Sequence, residues 1–271
     1  MNTKPTILQR KPDQVSINLE LCHFLPFSVS HVRQKGWEHK HITENAVIEM
    51  SAKETITSFD AFILIAGCKV FQDNQTEITN EILNKKSMLR IETSFDLFLK
   101  HYVGNNNKKV VIDSLKRLSS YQIFINGNDG SVKQQRYLYD FEISKDGLNV
   151  SFVISEAFYN KLNTKPWLIN FDKLRNTKSL TGRGLFLFFA GNNRSDFYQE
   201  TLEKMLNMDN DTAQKKRDNR KQIIKALEEL KNVKFIMDYR FDEKSKKFIL
   251  KREFKKSLFN NAEDAKFQNK A

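Results

Sequence analysis

The chain carries the same helix-to-strand passage twice. KKVVIDSLKRLSSYQIFI at 108–125 and RKQIIKALEELKNVKFIM at 220–237 each run from an amphipathic helical pattern into an apolar segment of strand character, with no Gly or Pro between. A shift of 112 positions places Lys109 on Lys221, Val111 and Ile112 on Ile223 and Ile224, Leu115 on Leu227, Leu118 on Leu230, and Ile123 to Ile125 on Phe235 to Met237. Apolar residues at i, i+3 or i+4, and i+7 make one face of a helix. The β-branched and aromatic run after the last leucine favours a strand.

A second pair lies upstream, where TSFDAFILIAG at 57–67 resembles TGRGLFLFFAG at 181–191, an offset of 124. Both read as mostly apolar helices suited to the middle of a small domain. Two pairs in the same order imply a repeated domain with insertions between its parts, and 271 residues leave room for two ordinary cores.

The segments after the two amphipathic helices also match. YQIFINGNDGSVKQQRYLYDFEI has turn residues that accept positive φ between two strand-like runs, with a further strand, LNVSFVI, at 148–154. VKFIMDYRFDEKSKKFILKREF predicts strands near 234–240 and 247–253 around a charged connection. A trio of helices closed by a hairpin is the winged-helix arrangement, a variant of the helix-turn-helix. The expected fold is therefore α+β, two tandem winged-helix domains at 45–165 and 166–254, with an N-terminal extension at 1–44 and a mobile polar tail at 255–271.

Charge separates the two halves. The chain has 45 Lys and Arg against 33 Asp and Glu, a net of +12, which favours an anionic partner. Residues 167–271 hold 24 basic and 15 acidic side chains (+9), and residues 1–166 hold 21 and 18 (+3). In the second half the predicted middle helix is SDFYQETLEKML at 195–206, capped by Ser195, with Phe197, Leu202 and Leu206 inward. The next helix begins near Thr212. Its first part, TAQKKRDNRK, has no apolar stripe, whereas Ile223, Ile224, Leu227 and Leu230 supply the core. A helix polar at one end and amphipathic at the other projects beyond its domain, as a recognition helix must to enter a major groove.

With the apolar face centred between Ile223 and Leu227, residues Gln214, Arg217, Asp218 and Lys221 point away from it, at about 100° per residue. Gln and Arg can make bidentate contacts to adenine and guanine edges. Lys215, Lys216 and Arg220 suit flanking phosphates, and Lys244, Lys246 and Lys247 lie where a wing meets the backbone. In the first half Asn105, Asn106, Lys108 and Lys109 open the equivalent helix, and backbone contact or protein association is the expectation there. Any one lysine on a helix surface can equally be a solvated side chain.

Over about residues 45–254 the chain resembles the plasmid replication initiators of the Rep type, through TSFDAFILIAG, VVIDSLKRLSSYQIFI, LNVSFVISEAFYNKL, SLTGRGLFLFFAG, FYQETLEKML and RKQIIKALEELKNVKFI. That resemblance implies binding of double-stranded DNA at repeated origin sites called iterons. It further implies a sequence-reading C-terminal domain, recruitment of the host replication initiator and helicase, and a monomer–dimer equilibrium in which the dimer represses its own promoter. The segment LCHFLPFSVSHVRQKGWEHKHI, before residue 45, matches no part of the pattern. A winged-helix transcriptional regulator with no replication role is the alternative, and a module binding acidic proteins is the third reading.

Catalytic chemistry finds little support. His39 and His41 have the spacing of a nicking initiator's metal ligands, but Lys40 lies between them and the context reads as an exposed loop. No GxxxxGK[ST] loop is present for a nucleotide-driven motor. GRG at 182–184 is too short for a dinucleotide loop and reads as a close-packed helix start. Cys22 and Cys68, 46 positions apart without a CxxC or a nearby His, read as two reduced, buried thiols rather than zinc ligands. The expectation is a non-enzymatic DNA-binding protein without cofactor or metal. No apolar run approaches membrane-spanning length and no signal sequence opens the chain, so a cytoplasmic location is expected.

Overall fold

Thr57 begins the central helix of the first repeat. In the computed structural model, which describes residues 11–17, 27–29, 35–42, 46–83, 86–104, 107–164 and 167–252, its hydroxyl and the Asp60 carboxylate form a reciprocal capping box at the start of α1 (Ser58–Asp73). The segment is apolar almost all round, and nearly every residue of α1 is buried. A helix with that pattern has to sit inside a fold rather than on its surface.

The protein is α+β. The strands are β1 (Gln14–Ile17), β2 (Lys35–Ile42), β3 (Ala46–Glu54), β4 (Thr79–Leu83), β5 (Lys86–Ser94), β6 (Gln122–Gly127), β7 (Val132–Gln135), β8 (Asp140–Ile143), β9 (Asn149–Ser155), β10 (Trp167–Asn170), β11 (Asp196–Tyr198), β12 (Asp238–Asp242) and β13 (Lys247–Lys251). Short α2 (Phe95–Leu97) continues as a π-helical turn, Phe98–Val103, and α3 (Lys108–Ser120) and α4 (Glu156–Thr164) complete the helices of the first half. The second half has α5 (Phe171–Asn176), α6 (Leu180–Ala190), α7 (Gln199–Met205) and α8 (Ala213–Asn232).

Among the described residues four antiparallel sheets form, ordered β1-β10, β2-β3-β6-β7, β4-β5-β9-β8 and β11-β13-β12. α1 packs on α3, α6 packs on α8, and α1 and α6 pack on each other, so a single apolar cluster runs through both repeats. Phe62 of α1 stacks on Phe171 at 6.2 Å between ring centroids, and Phe186 of α6 stacks on Phe235 at 3.9 Å.

Several elements differ from the expectation. The strand predicted at 234–240 starts only at Asp238, because α8 ends in a Schellman turn: Phe235 N–H donates to the Leu230 carbonyl at 2.9 Å and Lys234 N–H to that of Lys231 at 2.9 Å. Lys234 takes the left-handed position with φ 57°. Ser195 is not a helix cap, since Asp196–Tyr198 forms β11 against β13 and α7 starts at Gln199. Pairing puts Phe197 opposite Phe248 and within 5.1 Å of the Phe189 ring, so it is buried as expected but on a strand. The strand at 148–154 forms as β9, but pairs with β5 and β8 rather than with the hairpin β6–β7.

The chain before residue 45 contributes two paired strands. β1 pairs with β10 from Gln14↔Asn170 to Ile17↔Trp167, and Gln72 of α1 exchanges two 2.9 Å hydrogen bonds with the Ser16 backbone. β2 pairs with β3, so His39 and His41 lie on a strand and not in a loop. Among the described residues no group of three metal-ligating side chains occurs and no helix is long and apolar enough to cross a membrane. Cys68 is a buried free thiol, while Cys22 and the tail at 255–271 lie outside the described residues.

Candidate nucleic-acid interface

Helix α8 is set by the turn before it. Thr212 caps it, accepting from Lys215 N–H at 3.2 Å. Gln199 of α7 donates to the Lys216 carbonyl at 2.8 Å and to buried Glu203 at 2.6 Å, while Asn219 donates to the Asp209 carbonyl at 2.8 Å. Side-chain amides thus lock α7, the loop and α8 together. Ile223 is the first buried residue of α8, followed by Ala226, Leu227 and Leu230. Residues 213–218 are exposed, which leaves the polar N-terminal half standing out from the core.

The outward row predicted on this helix is continuous. Gln214 donates to Asp218 at 2.9 Å and accepts from Arg217 at 3.0 Å, and Lys221 lies 3.8 Å from Asp218. These four side chains share one face, and Lys216 is exposed beside them. Lys215 turns back instead, pairing with Asp209 and lying 4.0 Å from Asp211. That hydrogen bond raises the Lys215 pKa and lowers that of Asp209.

The hairpin β12–β13 is tied to α8 through Arg220. Its guanidinium pairs with Glu243 at 2.6 Å and stacks 4.8 Å from the Phe241 ring, in the geometry of a cation–π contact. Lys246 also pairs with Glu243, at 2.8 Å, and the two cations hold that carboxyl below its ordinary range, Lys246 more strongly. Lys247 pairs with Asp196 at 2.7 Å and sits 4.5 Å from the Tyr198 ring, joining β13 to β11. Lys244 is exposed at the turn, where its N–H donates to Asp242 at 3.0 Å. Of the residues assigned to phosphates, Arg220, Lys215, Lys246 and Lys247 therefore have carboxylate partners, whereas Lys216 and Lys244 face solvent. Glu243 and Asp196 were missed as partners of Arg220 and Lys247 because only the fold brings them together, whereas Asp209 and Glu243 lie within six residues of Lys215 and Lys246.

The first repeat differs at the same point. Lys108 bends toward Asp96 at 3.1 Å and the Phe95 ring at 5.4 Å, Lys109 is exposed, and α3 is already buried at Val111. Asn105 and Asn106 lie outside the described residues. Three residues of α3 precede its first buried one, against ten of α8.

The glycines of the GRG segment are required for packing. A Cβ on Gly182 would overlap the Glu229 carboxylate, and one on Gly184 would lie 2.8 Å from Leu206 Cδ2. Glu229 accepts from the Ser179 N–H at 3.1 Å and from the Lys178 N–H and Ser179 hydroxyl, so an acid on α8 closes the start of α6.

No protein-family model matches the chain, and no curated protein does. Solved structures are similar in fold. A crystal structure of selenomethionine derivatives of domain 2 and domain 3 of RctB matches with a TM-score of 0.59 at 14% identity, covering 88% of this chain and 99% of that one. A second crystal structure of RctB domains 2–3 matches with a TM-score of 0.52 at 14% identity, covering 76% and 81% respectively. The arrangement of both repeats is thus one that solved two-domain structures share.

Proposed function

We propose that the protein is a sequence-specific DNA-binding replication initiator that recognises repeated sites in an origin. The observation that carries this reading is the N-terminal half of α8, an exposed row of Gln214, Arg217, Asp218 and Lys221 braced against a basic hairpin by the Arg220–Glu243 pair. The likeness in fold to RctB, a replication initiator of the second Vibrio chromosome, supports the same reading.

The order α6, β11, α7, α8, β12, β13 with the sheet β11-β13-β12 supports a winged helix in the second half. In this reading α8 enters the major groove, the outward row reads base edges, and Lys216 and Lys244 meet phosphates. The first repeat, with its shorter free helix end, contacts backbone or a second copy. The origin repeats are iterons, dimers repress the protein's own promoter, and monomers recruit the host initiator and helicase. The protein performs no chemistry of its own, so origin opening draws on binding free energy, DNA bending and supercoiling. It acts in the cytoplasm, on the plasmid that encodes it.

Footprinting on the DNA flanking the gene tests the proposal. Protection of tandem direct repeats, with replication of a plasmid carrying the gene and its flanks, is the expected result. Protection of a single operator without replication would make the protein a transcriptional regulator instead.

A further inference from the structure

A cleft of about 590 Å³ lies between the two repeats and reaches α8 at Gln222, Lys225 and Ala226. One wall comes from the first repeat, with Phe59, Val103 and Val110. The other comes from α6 and α8, with Leu180, Arg183 and Lys225, and Lys178 sits at the rim. Every charged side chain lining it is a cation. The size is that of a small-molecule site, typically about 300–1,000 Å³.

Arg183 is the unusual member. It is 5% exposed, its guanidinium lies 5.0 Å from the Phe59 ring and 4.7 Å from the Phe62 ring, and its Nε has no hydrogen-bond partner. Burial pushes its pKa down to about 10, with Glu229 opposing only through its field. Glu229 is itself engaged by Ser179 and the Lys178 backbone. Burial, then the charges of Arg183 and Arg175, also lower the Lys178 pKa. A buried guanidinium without a paired anion is costly, and an anion brought to it is bound correspondingly well.

We propose that this cleft binds a small phosphorylated ligand of nucleotide size, its phosphate held by Arg183, Lys178 and Lys225 and its apolar body lying along Phe59, Leu180 and Val103. A phosphate dianion matches a cleft whose charged lining is three cations better than a single carboxylate does, and an arginine fork fits its oxygens bidentately. The phosphates of a duplex lie on a convex surface and do not reach a side chain this deeply covered. Inorganic phosphate alone leaves most of the volume empty.

The test is calorimetric titration of the full chain with AMP, with inorganic phosphate and with a random DNA duplex. AMP is expected to bind saturably and more tightly than inorganic phosphate. Arg183→Met abolishes AMP binding and leaves duplex affinity within about twofold, while Lys225→Gln weakens AMP about tenfold, the worth of one charge-assisted hydrogen bond. Lys225 is exposed, so its variant reports even if Arg183→Met does not fold. Absence of saturable AMP binding, indifference of AMP to Lys225→Gln, or displacement of AMP by random duplex each overturns the proposal. None of these outcomes depends on whether α8 reads an origin.

Discussion

Arg117 of α3 grips Asp60 of α1 through Nη2 to Oδ1 at 2.7 Å and through Nε, shared between Oδ2 at 3.1 Å and Oδ1 at 3.2 Å, in a site where the side chains are 4% and 0% exposed. The Ser114 hydroxyl donates to the same carboxylate at 2.6 Å, and Thr57 donates to it from its N–H at 2.7 Å and its hydroxyl at 2.9 Å. The repeat shift of 112 places Glu229 where Arg117 stands, and there the acid reaches back to the start of α6, beside Gly182. Both repeats set a carboxylate at the N-terminus of the central helix, where the helix dipole favours it. In the first the acid is on that helix, and in the second it comes from the amphipathic helix downstream.

Removing one member of the Asp60–Arg117 pair leaves a buried charge without its partner. Arg117→Met is expected to destabilise the protein by about 3–5 kcal/mol, read from the urea midpoint. Adding Asp60→Asn to that variant, which removes the unpaired charge and keeps an oxygen for the Thr57 and Ser114 donors, should recover part of the loss. A cost below about 1 kcal/mol for Arg117→Met would mean that the pair is not desolvated as described.

Gly182 is held to glycine by the Glu229 carboxylate, with the Ser179 hydroxyl and the Thr177 methyl also closer than 3.0 Å to where a Cβ would sit. Gly182→Ala should cost about 1–3 kcal/mol through overpacking, and in a Glu229→Ala background the same change should cost less, the remainder coming from Ser179 and Thr177. Additive effects in the double variant would separate the two residues.

Lys234 occupies the left-handed position that ends α8, with φ 57°. For an L side chain that conformation costs about 1–2 kcal/mol, which glycine avoids. Lys234→Gly is therefore expected to raise Tm, with DNA affinity unchanged because the residue lies at the far end of α8. An unchanged or lowered Tm would show that the Schellman turn is not the resting conformation.

Glu243 pairs with two cations that the sequence assigns to phosphates, Arg220 and Lys246. Glu243→Gln should release Lys246 and loosen Arg220, strengthening binding to all DNA and steepening the log K against log salt slope by about 1 per phosphate gained. Arg217→Ala, by contrast, should cost about 1–3 kcal/mol on the specific site and little on random duplex. Identical losses on both DNAs for Arg217→Ala would remove it from the base-reading row.

Burial pushes the Cys68 thiol from 9.0 up to about 12. Its protonated form is favoured when folded, so this contribution to stability is complete below pH 9 and is lost as pH rises from 9 toward 12. In a Cys22→Ser variant, iodoacetamide should leave the native protein unlabelled at pH 8 and modify it once urea unfolds it. Rapid native labelling would place the thiol at the surface.

Much of this architecture was legible in the chain. Periodicity alone located α1, α3, α6 and α8, since an apolar stripe or an all-apolar helix has few ways to be buried. The repeat at a shift of 112 marked α3 and α8 as like helices, and the polar lead of α8 announced a helix end with exposed residues. Local order ended there. Phe197 is compatible with helix or strand until Phe248 and Phe189 bury it, and a Lys at 234 gives no sign that it will terminate a helix. The pairing of β1 with β10 joins residues more than a hundred positions apart, and polar strands such as β2 carry no clear alternation.

The functional surfaces divide in the same way. Sequence by itself determined which side chains share the outward face of α8, because helical geometry comes from spacing. Only the tertiary structure decided which cations beside that face remain available, since Glu243 and Asp196 arrive from other elements to pair with Arg220 and Lys247, and Asp209 in the preceding loop pairs with Lys215. It also decided that Arg183, read from the chain as part of a close-packed helix start, is buried against two phenylalanines at a cleft between the repeats. Pairing and burial depend on distance in space, and a sequence records only distance along the chain.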